Sequence, residues 1–150
     1  MIFQNKPELY YIPKNFKTQE FVDKATYTKY GESSLWFIDA RILITMDKIR
    51  EYFGKPITIN NWVFGKDREW SGLRTPKSPF YSQYSQHSFG RAVDFLVSGV
   101  PAQDIRNEII KNPWHDAFKY ITTLEDGVSW VHADMRAHDK TNKGILLVKP

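Results

Sequence analysis

The sequence predicts an α+β fold, a small antiparallel sheet flanked by helices. Three features point there. Apolar residues recur at helical spacing from Leu35 to Phe53. Short stretches rich in β-branched residues gather in the second half, two of them separated by the turn Glu125-Asp126-Gly127. The order is helix, strand, long loop, strand, helix, hairpin, strand, which suits helices set apart from an antiparallel sheet.

The first thirty residues read as extended or irregular chain with a short helical turn around Gln19–Asp23, an N-terminal extension packed on the domain. Ser33 or Ser34 then caps a helix whose Leu35, Ile38, Ile42, Met46, Ile49 and Phe53 make one apolar face. Gly54 stops it and Pro56 prevents a restart. Pro56–Trp62 alternates in strand fashion. Val63–Gln86 is rich in Gly, Ser, Pro, Tyr and charge, and reads as a loop. Loops of that length are uncommon in a compact domain and are often functional. Arg91–Val97 is strand-like. Pro101 suits the first turn of a second helix, Pro101–Lys111, with Ile105 and Ile109 pointing one way. Lys119–Leu124 and Val128–Met135 form a hairpin, and Gly144–Val148 closes the sheet.

With 150 residues the chain fits one domain, 1–150, large enough for a hydrophobic core. Hydrophobic residues at 41% and charged residues at 25% argue against disorder. The absence of cysteine removes disulfides, thiolate metal sites and cysteine nucleophiles, so any metal must be held by His, Asp or Glu. A formal charge of +4 and a pI near 9.2 suit an anionic partner such as teichoic acid, phospholipid headgroups or nucleic acid, or serve solubility alone. The lysines are scattered and form no nucleic-acid motif, so no nucleic-acid partner is expected. The N-terminal MIFQNKPELYYIPKNF lacks the charged-then-apolar order of a secretory signal, and no apolar run approaches a membrane span. A soluble chain without a signal peptide is expected.

Two segments carry chemistry. In Ser85-Gln86-His87-Ser88-Phe89-Gly90-Arg91-Ala92-Val93-Asp94 a histidine leaves a loop and an aspartate follows inside an apolar strand. A carboxylate flanked by Ala92, Val93, Phe95 and Leu96 is partly buried, which is costly unless it is hydrogen-bonded, paired or metal-bound. In Ser129-Trp130-Val131-His132-Ala133-Asp134, alternation sets Trp130, His132 and Asp134 on one face. Each segment alone suits an ordinary structural residue. Together they offer His87, Asp94 and His132, three ligands that leave zinc a fourth position open for water, the catalytic arrangement.

Ser85–Asp94 resembles the S-x-H-x-x-G-x-A-x-D motif of the zinc D-Ala-D-Ala peptidases, with every defining position present. That group includes D-Ala-D-Ala carboxypeptidases, vancomycin-resistance dipeptidases and phage L-alanoyl-D-glutamate endopeptidases, and shares a hedgehog/lysostaphin-like fold. Trp130-Val131-His132 is similar to its second metal motif, and Ser71-Gly72-Leu73-Arg74-Thr75-Pro76 to its S-G-x-R-[ST]-P segment. The resemblance covers about residues 35–136. It implies zinc on His87, Asp94 and His132, and peptidoglycan stem peptides as substrate. It implies substrate binding or oxyanion support by Arg74, which suits a planar guanidinium. Ser85 and Tyr84 are expected to touch substrate, and Tyr81 is a further candidate. A phage lysis enzyme, released from the host cytoplasm to the wall or carried on a virion, fits a chain with no signal peptide. A monomer is expected unless it is part of a virion.

One position departs from the family. Many members carry Glu or Asp three residues before the last histidine as general base, and here Ser129 stands there. The nearest carboxylates are Glu125, Asp126 and Asp134. Glu125, at the hairpin, is the expected base. Asp134 would instead orient a ligand or bind Arg136. If no carboxylate serves, the chain is a zinc-binding or phage structural module that keeps the fold. His115 and His138 are expected to pack or lie at the surface.

Overall fold

The structure, a computed structural model, describes residues 10–150; residues 1–9 of the expected extension lie outside it. Its class is α+β, with four α-helices and a five-stranded sheet. The helices are α1 (Lys24–Tyr30), α2 (Ala40–Phe53), α3 (Ala102–Lys111) and α4 (Lys140–Lys143). The strands are β1 (Ile57–Thr58), β2 (Ala92–Val97), β3 (Thr123–Glu125), β4 (Val131–Asp134) and β5 (Leu146–Val148), in the order β1-β2-β4-β3-β5.

The sheet is antiparallel except at one edge, where β5 runs parallel to β3 and corrects the wholly antiparallel expectation. The intervening α4 turns the chain so that it re-enters in the direction of β3. Strand alternation divides the two faces. Val93, Phe95, Val131, Ala133 and Leu124 are buried in the core with Ile42, Leu43, Met46 and Ile49 of α2 and Ile105 and Ile109 of α3. Asp94 and His132, directly paired across β2 and β4, belong to the alternate set.

Several local expectations are revised. Helix α2 starts later than Ser33 or Ser34. Asp39 caps it, accepting from the Arg41 amide at 2.9 Å, and Gly31–Phe37 forms 3-10 turns instead. Gly54 ends α2 in the left-handed conformation, as expected. Helix α1 falls within the stretch expected to be irregular. It buries no residue, so it carries no apolar stripe, and its clearest signal is the Asp23 cap on Thr26 N at 3.0 Å. Within Pro56–Trp62 only Ile57–Thr58 pairs, and Trp62–Phe64 is a 3-10 turn. Lys119–Thr122 is not strand, and the hairpin loop is residues 126–130. Pro101 precedes α3 as its N-cap residue.

The N-terminal segment is part of the core, since Phe16, Phe21 and Val22 are buried within it. Among the described residues no helix is long and apolar enough to cross a membrane.

Candidate metal centre

A 3-10 turn, Gln86–Phe89, delivers His87. Ser85 caps this turn, its hydroxyl accepting from His87 N at 3.2 Å. Gly90 closes it at φ +68°, and a Cβ there would lie 1.9 Å from the Phe37 carbonyl oxygen. Glycine is therefore required by both backbone and space. Asp94 follows on β2, and its amide donates to the Ser71 carbonyl at 2.8 Å, so Ser71 flanks β2 beyond the short reach of β1.

His87 Nε2 lies 3.2 Å from Asp94 Oδ1, and His132 Nδ1 lies 2.9 Å from the same oxygen. All three residues are buried, with ligand atoms within 4.8 Å of one another. They are the only such group of His, Cys, Asp or Glu among the described residues, and they could hold a metal ion.

Both rings are fixed from behind. His87 Nδ1 donates to the Gly72 carbonyl at 2.8 Å, which turns the Nε2 lone pair toward Asp94. His132 Nε2 donates to Asp134 Oδ2 at 2.8 Å, which turns the Nδ1 lone pair the same way. An acceptor behind a metal-ligating histidine sets its tautomer and ring orientation. Two lone pairs and a carboxylate oxygen facing one another need a cation or a proton between them. Burial opposes charge on His132, but its hydrogen bonds to Asp134 and Asp94 outweigh burial and push its pKa up to about 9. Burial likewise works against Asp94, yet its contacts with His132 and His87 hold it well below the usual carboxylate range. Against the same burial, His132 and Arg136 bring Asp134 down to about 2.

The expected companions have definite places. Arg74 Nη2 donates to Asp94 Oδ2 at 2.9 Å and its Nε to the Trp70 carbonyl at 2.8 Å. It thus steadies the outer oxygen of a ligand carboxylate. Asp134 does both things foreseen for it, bonding His132 and also Arg136, whose Nε is 2.9 Å from Oδ1. It has no oxygen to spare as a base.

The three ligands lie in a cleft of about 860 Å³, toward the large end of the range for small-molecule sites. Arg74, Glu125, Tyr84 and Ser85 all line it, as do Trp70, Trp130 and Phe80. Tyr81, Asp126, His115 and His138 are not among its lining. His115 accepts from Ala117 N at 3.0 Å and packs edge-on to Tyr52; His138 contacts the Gly144 carbonyl at 3.0 Å. Ser129 is exposed. Sequence inspection missed the Gly72 carbonyl behind His87, because a backbone acceptor leaves no side-chain signature. It also missed Phe80 and Arg136 as cleft residues.

No family model matches the chain, and no curated protein or solved structure is significantly similar to it.

Proposed function

We propose that this protein is a zinc-dependent peptidase that hydrolyses peptide bonds in bacterial peptidoglycan stem peptides, acting as a phage-type cell-wall lytic enzyme. One observation carries the proposal: His87 Nε2, Asp94 Oδ1 and His132 Nδ1 converge in an open cleft, each histidine backed by its own acceptor. The donor set fits zinc, being two imidazoles and a carboxylate with no thiolate. The motif resemblance of Ser85–Asp94 and Trp130–His132 supports the substrate class and a hedgehog/D-Ala-D-Ala peptidase-like fold.

Zinc, when bound, supplies a Lewis acid that polarises the scissile carbonyl and acidifies water. Glu125, at the end of β3 on the cleft wall, takes the proton from the attacking water and passes it to the departing amine. Arg74 holds Asp94 in place, and its remaining N–H groups serve a substrate carboxylate or the developing oxyanion.

Purified cell walls are incubated with the zinc-loaded protein, with chelator-treated protein and with His87→Ala, and the released muropeptides are identified by mass spectrometry. New peptide termini only in the zinc-loaded sample support the proposal. Glu125→Gln should retain zinc and lose at least about 100-fold in rate. Ser129 favours a second reading, a non-catalytic zinc module: zinc bound stoichiometrically with no wall peptide cleaved would establish it.

A further inference from the structure

The cleft is rich in aromatic side chains. Four rings line it: Trp70, Phe80, Tyr84 and Trp130. Two of them stand in solvent, Tyr84 at 77% exposure and Phe80 at 64%. Neither belongs to the core, and both stand on the wall of the cleft that holds His87, Asp94 and His132. Both are tied to the ligand set. The Arg74 guanidinium lies over the Phe80 ring, 5.7 Å from its centroid, and the same guanidinium holds Asp94. Tyr84 immediately precedes Ser85, which caps the turn carrying His87.

The chemistry of a stem peptide does not match these rings. Its side chains are methyl, carboxyl and amino-bearing methylene groups, none of them a rigid flat face. A pyranose ring has one. Its axial C–H groups form a flat apolar surface that stacks on an aromatic ring, while its equatorial hydroxyl and N-acetyl groups take polar partners around the edge. The cleft supplies such partners in Asp67, Ser82 and Gln86.

We propose that Tyr84 and Phe80 form a sugar-stacking subsite, so that the preferred substrate is a peptide still attached to its N-acetylated glycan strand rather than a free peptide. The inference rests on the peptidase reading of the metal centre for its second half, the substrate preference. Its first half, recognition of an amino sugar, stands on the rings alone.

Two measurements separate the halves. In the first, the zinc-loaded protein is given a disaccharide-linked stem peptide and the same peptide freed of sugar. The glycan-linked form should be cleaved with kcat/KM higher by about tenfold, the scale of one well-stacked ring. The ratio between the two substrates should fall toward one in Tyr84→Ala and in Phe80→Ala, whose exposed positions leave the fold intact by circular dichroism. In the second, the N-acetylated disaccharide alone is titrated into the protein and followed by saturation-transfer NMR, with His87→Ala in parallel. Transfer to the sugar C–H protons that is lost in Tyr84→Ala supports the subsite. Equal rates on both substrates, with no transfer at millimolar disaccharide, overturn the inference and leave the peptidase standing. Sugar transfer with no hydrolysis of either substrate retains the subsite and overturns the peptidase.

Discussion

Asp134 Oδ2 lies 2.8 Å from His132 Nε2, and Asp134 is completely buried. The pair fixes which nitrogen of His132 bears the proton, and the same carboxylate is clamped by Arg136. Asp134 is a positioning residue that acts through His132. Asp134→Asn keeps the shape but loses the charge that makes His132 a stronger donor to metal. Zinc affinity should fall by about 10- to 100-fold. Competition with a chromophoric chelator reads this, and an unchanged affinity in a folded variant would remove Asp134 from the role.

Zinc should stabilise the native chain, because the three ligand atoms converge only when β2, β4 and the His87 turn are in place. Free zinc at 1,000-fold its Kd would add about 4 kcal/mol, or about 10 °C in Tm for a chain of this size. Thermal melts with zinc and with chelator measure the shift. Its persistence in Asp94→Ala would mean the ion binds elsewhere.

Lys140 tests electrostatics away from the metal. It is buried, with Nζ donating to the carbonyls of Pro113, Phe118 and Lys119 at 2.7, 3.2 and 3.0 Å and lying 4.4 Å from the Trp114 centroid. Burial draws its pKa down to about 8, opposed by the three carbonyls and the Trp114 ring, which favour the charged form. Between that value and the ordinary lysine pKa near 10.4, the unfolded chain holds a proton that the folded chain has released, so stability rises with pH over this window. The Tm of wild type minus that of Lys140→Met should therefore become more positive from pH 8 to about 10.4. A fall over that window would reverse the sign.

Gly90→Ala should destabilise the fold by more than about 2 kcal/mol, since a left-handed backbone and a backbone clash act together. The clash is with Phe37, whose carbonyl oxygen sits 1.9 Å from the added carbon. Urea denaturation measures the loss. Near-native stability would show that the turn after His87 relaxes easily.

How much of this was legible in the sequence depends on what each feature leaves in it. The His87, Asp94, His132 cluster was readable because Asp94 and His132 are polar residues inside apolar strands, with His87 in the turn just before the first of them. Helices α2 and α3 were readable from their apolar spacing. Helix α1 was not, since only Tyr27 packs against the core and none of its residues is fully buried. The parallel pairing of β5 was hidden because Leu146 and Val148 are only partly buried, and strand direction leaves no mark on side-chain alternation. Arg74 was expected to meet substrate; it lines the cleft, and its bond to Asp94 depends on a loop path that no local pattern encodes.

At Gly72 a Cβ would sit 2.2 Å from the Phe21 carbonyl, and that carbonyl also accepts from Leu73 N at 2.9 Å. The first described stretch of chain is thereby wedged against the backbone that braces His87. Undocking Phe21 would withdraw the brace, so ion retention and attachment of the amino-terminal arm are expected to fail together. A protein clipped before Val22 should release zinc at chelator concentrations the whole chain withstands.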